Sequence, residues 1–533
     1  MEATGARTAV ARSSVASGAS AAGAGGGFGA VLGMSRPYLV GVGGAGMSAL
    51  GRLLADSGVP VRGSDSTPSP VTESLAGAGI GVDLDERSEV LPEDSDGLVI
   101  SAAIRPDHGQ VLEAERRGLP VLGYAEALGR CQSVRTGVSI AGTHGKSTTT
   151  AMLGCCLTDA GLDPAVIVGA TCGQLARGCL ETPKPGRGSV RGTSVGAPGV
   201  GSRLGSPKIP VGSLAGRPGL LLAEACEFNR SFLHHRPSMA SIANLEADHL
   251  DVYGSLDAVV EAFAGFASLL PGEGDGGYLL VGHDGAHRRE VTAGLGARVE
   301  TIGFAPGADW RVKITRGLIA MDGPDGVRLR WSLSMPGEHN AMNSAVAAAM
   351  AVVAGADPSM VGRSLSAFEG LDRRLQRVGR RIVRDGHVVV YDDYGHHPTE
   401  IDLTLRALRD HLRPEDEGGR LVVVFQPHQH SRTRFLLDEF AQSFGQADVV
   451  IVPHIYFVRD SEAEKQRVSS ADLVDRLRAK GVQAMHLYPF EAIVEQLQNV
   501  CRAGDVLVVM GAGPVWTVAR DYLAAGRSRD ARG

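Results

Sequence analysis

Ser139-Ile140-Ala141-Gly142-Thr143-His144-Gly145-Lys146-Ser147-Thr148-Thr149-Thr150 is the stretch that decides how this chain is read. A short apolar run enters a glycine turn, and the turn opens into a helix. Met152, Leu153, Cys156 and Leu157 recur at helical spacing, and Gly161 stops the helix. Glycines let backbone N–H groups close around phosphate oxygens, and the positive end of the helix adds attraction. Lys146 can set a compact charge between two phosphates, and the Ser147 hydroxyl can ligate Mg²⁺. Gly142, Thr143, His144, Gly145, Lys146, Ser147 and Thr148 are therefore the candidate ATP-phosphate residues. Ile140 stands where a longer phosphate loop has its first glycine, so this is the shorter G-x-x-G-K-S form. An ordinary strand–turn–helix is the competing reading.

Upstream, Tyr38-Leu39-Val40 meets a second glycine turn, Gly41-Val42-Gly43-Gly44-Ala45-Gly46, and Met47, Leu50 and Leu54 continue as a helix closed by Gly58. This is the G-x-G-x-x-G dinucleotide fingerprint, with Ser64 and Asp65 ending the next strand at a fitting distance. Taken alone it suggests a nicotinamide oxidoreductase; the same turn can also hold the pyrophosphate of another nucleotide. Residues 1–34 are mostly Ala, Gly and Ser, and are expected to form a disordered tail. Met34 directly precedes the first strand, so a start there is expected, and a chain lacking residues 1–33 should keep its activity.

The 533 residues suit roughly three to four domains. A net charge of −6 and the absence of a basic run argue against a nucleic-acid partner. No apolar run is long enough to span a bilayer. Seven cysteines without a C-x-x-C pair read as reduced and cytoplasmic. The fold class expected is α/β in three domains. A Rossmann-like domain spans 35–134, a phosphate-loop domain with a mixed sheet 135–375, and a second Rossmann-like domain 376–533. Within the middle domain, the aperiodic Gly/Pro/Ser/Arg-rich segment 173–219 reads as a flexible insertion.

Downstream of the phosphate loop, Leu220-Leu221-Leu222-Ala223-Glu224 is an apolar strand ending in a carboxylate suited to Mg²⁺. The strands expected in the last domain are Val388–Asp392, Leu421–Gln426, Val449–Pro453 and Val506–Met510, with polar residues at their C-terminal ends.

Several motifs, in order, resemble those of the Mur ligases, the ATP-dependent amide ligases of peptidoglycan precursor synthesis. Besides the two glycine turns and the Leu98–Ile104 segment containing Ser101, they are Glu224-Ala225-Cys226-Glu227 running to Ser231-Phe232-Leu233, Asn244-Leu245-Glu246-Ala247-Asp248-His249, Pro336-Gly337-Glu338-His339-Asn340 with Asn343, Phe368–Arg374, Asp392-Asp393-Tyr394-Gly395-His396-His397-Pro398-Thr399-Glu400-Ile401, and Phe425-Gln426-Pro427-His428 running to Arg432. The resemblance covers nearly everything from Ser35 onward.

It implies ATP and Mg²⁺ as cofactors and an acyl-phosphate route. Lys146, Glu224, His249, Arg374 and Asp393 would be catalytic, with Ser147, Glu224 and His249 holding metal. Asn340, Asn343, Arg373 and Asp392 would join the phosphate loop in binding ATP. Gly43, Gly44, Ala45, Gly46, Met47, Ser64, Asp65 and Ser101 would bind a UDP-sugar, and His396, His428 and Arg432 an amino acid. The motifs favour the alanine-adding branch, whose substrates are UDP-N-acetylmuramate and L-alanine, over the tripeptide-recycling branch. Absence of lysine between Lys208 and Lys313 disfavours branches that carry a carbamylated lysine. Gln429, His430, Pro514 and Val515 depart from the family pattern. A hinge is expected near Arg373–Val378, and the chain is expected to be a monomer or weak homodimer.

Overall fold

The computed structural model describes residues 27–84, 91–180, 201–458 and 460–530. Three sheets follow one another along the chain. The first has five parallel strands in the spatial order Gly81–Leu84, Arg62–Asp65, Pro37–Val40, Gly97–Ile100 and Val121–Gly123. Strand order reverses at Pro37–Val40, so a crevice opens at its C-terminal end, where the first glycine turn lies.

The second sheet has ten strands and is mixed. Thr136–Ala141 lies between Met239–Ile242 and Leu220–Glu224, parallel to both. Antiparallel pairs finish the sheet, through Leu318–Asp322 and Arg328–Ser332 at one edge and Ser202–Arg203 at the other. Such a central position predicts a strand buried on both faces, and all six residues of Thr136–Ala141 are buried. The helix it launches, Lys146–Asp159, is buried from Ser147 to Leu157, not on one face only. It is wedged between the sheet and the helices Glu338–Val353 and Pro358–Ser366.

The third sheet has six strands, in the order Gln376–Val383, Gly386–Asp393, Val506–Met510, Leu421–Phe425, Val449–Val452 and Gln483–His486. Only Gln376–Val383 runs antiparallel to its neighbour. The sheet carries apolar cores on both faces.

Two boundaries differ from expectation. The disordered tail does not extend to residue 34. Phe28–Leu32 is a helix whose Phe28 and Leu32 are buried with Met34 in the first domain's core, and the Arg135 guanidinium lies 5.0 Å from the Phe28 ring centre. A Phe and a Leu four residues apart outweigh the surrounding glycine once a partner helix, Tyr124–Gln132, receives them. Residues 1–26 lie outside the described residues.

The supposed insertion is likewise ordered at both ends. Just after the buried Cys172, Leu175 and Cys179 are buried near its start, and Ile209 is buried toward its end. Gln174 donates to the Ala367 carbonyl and accepts from the Glu369 N–H, bracing the approach to the last domain. Residues 181–200 of that segment lie outside the described residues. No helix among the described residues is long and apolar enough to cross a membrane.

Candidate active site

The phosphate loop is held from one side by Asn244. The Asn244 carbonyl accepts from the Thr143 N–H at 3.2 Å, and its side chain accepts from the His144 N–H at 2.8 Å and donates back to the His144 carbonyl. Gly145 adopts φ 81°, in the left-handed region, and a methyl there would strike the Asn343 side-chain oxygen. Only glycine fits that corner.

Lys146 Nζ donates to the Gly142 and Thr143 carbonyls at 2.7 and 2.9 Å and pairs with the Glu227 carboxylate at 2.8 Å. Burial opposes the Lys146 charge, but Glu227 outweighs burial and keeps the ammonium protonated. Burial also raises the Glu227 carboxyl, and Lys146 offsets part of that rise. An arriving phosphate would replace Glu227 as the partner of Lys146.

Glu227, Asp248 and His249 bring one ligand atom each within 4.8 Å of one another. Burial holds the His249 imidazole down to about 3, so at neutral pH it is the uncharged form that ligates metals. His249, expected to hold metal, has Glu227 and Asp248 as its carboxylate neighbours. Glu224 ends its strand as expected, and its Oε2 is buried without a hydrogen-bond partner. An orphaned carboxylate oxygen beside a phosphate loop suits a hard divalent cation.

The third domain closes over this loop. His144 sits between Glu246, 3.4 Å from its Nε2, and Glu400, 3.3 Å from its Nδ1. Burial opposes its charge, but the flanking carboxylates Glu246 and Glu400 prevail and raise the imidazole to about 9. His144 in turn lowers Glu246 to about 2. Thr399 donates to Glu246 at 2.6 Å, and the His397 ring lies 4.7 Å from that of His144. Arg432 donates to Asp248 at 2.9 and 3.2 Å in a buried ion pair between domains.

Below these contacts is a cavity of ≈ 260 Å³. Gly145, Thr148, Asn340, Asn343, Arg374 and Asp393 are among its walls. Of the residues assigned to ATP, His144, Gly145, Thr148, Asn340 and Asn343 share this cavity.

Arg373 and Asp392 do not. They line a different cavity, of ≈ 280 Å³, where the three domains meet near Ser48, Gly169 and Trp516. The reason is strand alternation: successive residues of Gly386–Asp393 face opposite sides of the sheet, so Asp392 and Asp393 cannot serve one pocket. Burial raises Asp392 to about 7, although Arg373 stands 3.5 Å away.

Further assigned residues are engaged within the protein itself. Asp393 spends its carboxylate on the Leu375 and Gly395 N–H groups at 2.6 and 2.7 Å, so it shapes the joint and is not a free catalytic acid. Arg432 is committed to Asp248 and does not stand open for an amino acid; His396 and His428, 5.8 Å apart between ring centres, remain beside it. In the first domain, the Met47 side chain is part of the core and the Ser64 hydroxyl donates to Gln110, leaving the Ala45 and Gly46 end of the turn to meet a ligand. Asp65 accepts from the Gly43 N–H at 2.8 Å and so props the turn. Ser101 packs against Gly41 across the crevice.

Sequence reasoning passed over Glu227, Asn244, Glu246, Asp248 and Glu400 as site residues. All five stand inside the quoted motifs, and the signal was the density of acids there. The joint is strained as a hinge would be: Arg373 and Leu375 have φ of 58° and 48°.

Known proteins resemble this chain over most of its length. Residues 37–135 match the Mur ligase family catalytic domain, 221–351 the Mur ligase middle domain, and 373–513 the Mur ligase glutamate ligase domain. The chain belongs to the Mur ligase family. A UDP-N-acetylmuramate–L-alanine ligase of Kineococcus radiotolerans is 36% identical over 505 residues, covering 92% of this chain and 96% of the relative. Among solved structures, the UDP-N-acetylmuramate–alanine ligase of Thermotoga maritima superposes with a TM-score of 0.69 at 21% identity, covering 93% of this chain and all of the other. A murein peptide ligase of Psychrobacter arcticus gives 0.67 at 23% identity, over 92% and 98%. At these identities the two structures speak for the fold.

Proposed function

We propose that this Mur ligase is an ATP-dependent amide ligase joining L-alanine to the lactyl carboxylate of UDP-N-acetylmuramate, in the cytoplasm, with release of ADP and phosphate. The observation that carries the reading is the near full-length match to a relative of that name, on a chain whose phosphate loop faces a buried acid–histidine cluster.

A carboxylate is a poor electrophile because its leaving group would be oxide. Transfer of the ATP γ-phosphoryl to the lactyl carboxylate makes an acyl phosphate with a good leaving group, and the alanine amine displaces phosphate. Catalysis of this kind is mostly positioning and charge neutralisation. Lys146 would leave Glu227 to bind the transferring phosphoryl group, and Arg374 would face it from the third domain. Glu224 and Ser147 would hold one Mg²⁺, and His249 with Glu227 a second; when bound, the metal neutralises phosphate charge. The Ala45 and Gly46 end of the first glycine turn would hold the UDP diphosphate, and His396 and His428 would line the alanine pocket. Closure of the third domain through His144, Thr399 and Arg432 excludes water from the acyl phosphate.

The test is phosphate release from ATP with UDP-N-acetylmuramate and, in turn, L-alanine, L-serine, glycine and the tripeptide L-alanyl-D-glutamyl-diaminopimelate. Turnover is expected with L-alanine first. Turnover with the tripeptide alone would move the chain to the recycling branch. Oxygen-18 placed in the lactyl carboxylate must appear in the released phosphate; its absence would end the acyl-phosphate mechanism.

A further inference from the structure

Tyr124 opens the helix Tyr124–Gln132 at the end of the first domain, and no family motif named above contains it. Its ring lies against the first turn of the helix Ala45–Asp56: a methyl placed on Gly46 would stand 2.8 Å from Cζ and 2.9 Å from the hydroxyl oxygen. Its ring also packs with a core that includes Leu221 and Ala223, on the strand that ends in Glu224. The side chain therefore stands at the seam between the glycine turn of the first domain and the acidic strand end of the second. Its hydroxyl makes no hydrogen bond among the described residues, and the residue is half-buried. On the far side of that seam, Glu224 keeps a buried oxygen without a partner.

An anionic substrate that starts on the glycine turn and ends at the phosphate loop must cross this seam. The seam is already negative through Glu224 and Glu227, so a neutral donor is the group that can meet such a substrate there without adding charge. Burial, and next the negative charge of Glu224, keep the Tyr124 hydroxyl protonated above the ordinary phenol range.

We propose that Tyr124 is a substrate-binding residue, whose hydroxyl donates to the sugar-side phosphate of the nucleotide-sugar diphosphate as it leaves the Gly43–Gly46 turn. This rests on the ligase reading above and names one further contact within it. The position of the ring fixes the choice of phosphate, since the hydroxyl sits under Gly46 and not beside the Ser101 end of the crevice where a base would lie.

The test is Tyr124→Phe in the full chain, with UDP-N-acetylmuramate, UDP and ATP titrated separately by calorimetry and by steady-state kinetics. One hydrogen bond to a charged oxygen corresponds to a loss of about tenfold or more. The expected result is that loss in affinity for UDP-N-acetylmuramate and for UDP, with the KM for ATP and alanine and the melting temperature unchanged. Equal affinities in the variant and the parent would overturn the proposal, as would a loss shared by ATP. Gly46→Ala, which pushes a methyl into the ring, provides a second arm and should weaken the same two ligands. If the parent protein released no phosphate with UDP-N-acetylmuramate, the ligase reading itself would fail, and that outcome is separate from any difference between parent and variant.

Discussion

The chain contains two strand–glycine–helix turns, and they are built alike but finished differently. Each follows a fully buried strand, Pro37–Val40 in one case and Thr136–Ala141 in the other. The first turn stays open: Gly44 and Ala45 are exposed, and its helix is amphipathic. The second is enclosed: Ser147 and Thr148 are buried, its helix is buried all round, and the third domain closes over His144. The first offers backbone N–H groups and no cation; the second adds Lys146. Holding a diphosphate that remains intact needs only the helix terminus. Moving a phosphoryl group needs a charge in a site closed to water. The difference lies in what later sequence folds over each turn, not in the turns themselves.

The largest break in that comparison should come from Lys146→Ala. Phosphate release is expected to fall by three orders of magnitude or more, roughly what one charge aimed at a transferring phosphoryl group contributes. UDP binding at the first turn should survive, as read by calorimetry. Loss of both would mean that the two turns do not work separately.

Next in size is the buried pair that fastens the third domain to the second. Arg432 and Asp248 expose only 6% and 9% of their side chains. Arg432→Ala leaves Asp248 uncompensated, a cost of about 3–5 kcal/mol. A lowered midpoint in denaturant unfolding is expected, and Asp248→Asn in the same chain should recover part of it because no buried charge is then left alone. An unchanged midpoint would mean that closure does not depend on this pair.

A smaller effect should follow deletion of residues 1–33. The sequence alone suggested that this removes nothing, but it takes Phe28 and Leu32 from the core on which the first turn's helix rests. Burial of two such side chains corresponds to about 3–6 kcal/mol before the entropy of ordering the helix is subtracted. A fall of several degrees in the first domain's melting temperature is expected, with UDP binding weakened and the Lys146 site less affected. Equal melting of the truncated and full chains would restore the disordered-tail view.

How far the sequence could be read follows from the same contrast. Local chemistry was legible wherever a periodic run met glycine: both turns, the strand Leu220–Glu224 and four of the last domain's six strands fell where patterning put them, while Gln376–Val383 and Gln483–His486 went unread. What could not be read locally was which face a side chain takes and who its partner is. Asp392 and Asp393 are adjacent letters, yet the pleat sends them to separate cavities. Arg432 was read as a hand for the substrate, although 184 residues away Asp248 holds it. Phe28 was lost in a glycine-rich background because its partner helix comes about a hundred residues later. Each miss is a long-range contact overruling a local pattern.

The smallest prediction concerns the pH at which the enclosed turn opens. His144 is raised from an ordinary 6.5 to about 9, burial working against its charge while Glu246 and Glu400 prevail. A folded-state value above the unfolded one means that the contribution is complete below about pH 6.5 and is lost as pH rises through about 9. The contact between the second and third domains should therefore loosen across that window while the first turn, which has no such histidine, is unaffected. Hydrogen exchange of the Gly142–Thr148 amides, followed at several pH values after correction for intrinsic rates, should show protection falling several-fold between those limits. His144→Gln should flatten the profile, because glutamine can meet one carboxylate as a donor but cannot take up a proton. A variant that retained the same pH dependence would assign the opening to some other group. An exchange profile flat in the parent would show that neutral His144 binds Glu246 and Glu400 as well as the charged form does, and the closure would then rest on other contacts such as those of Arg432, Thr399 and His397.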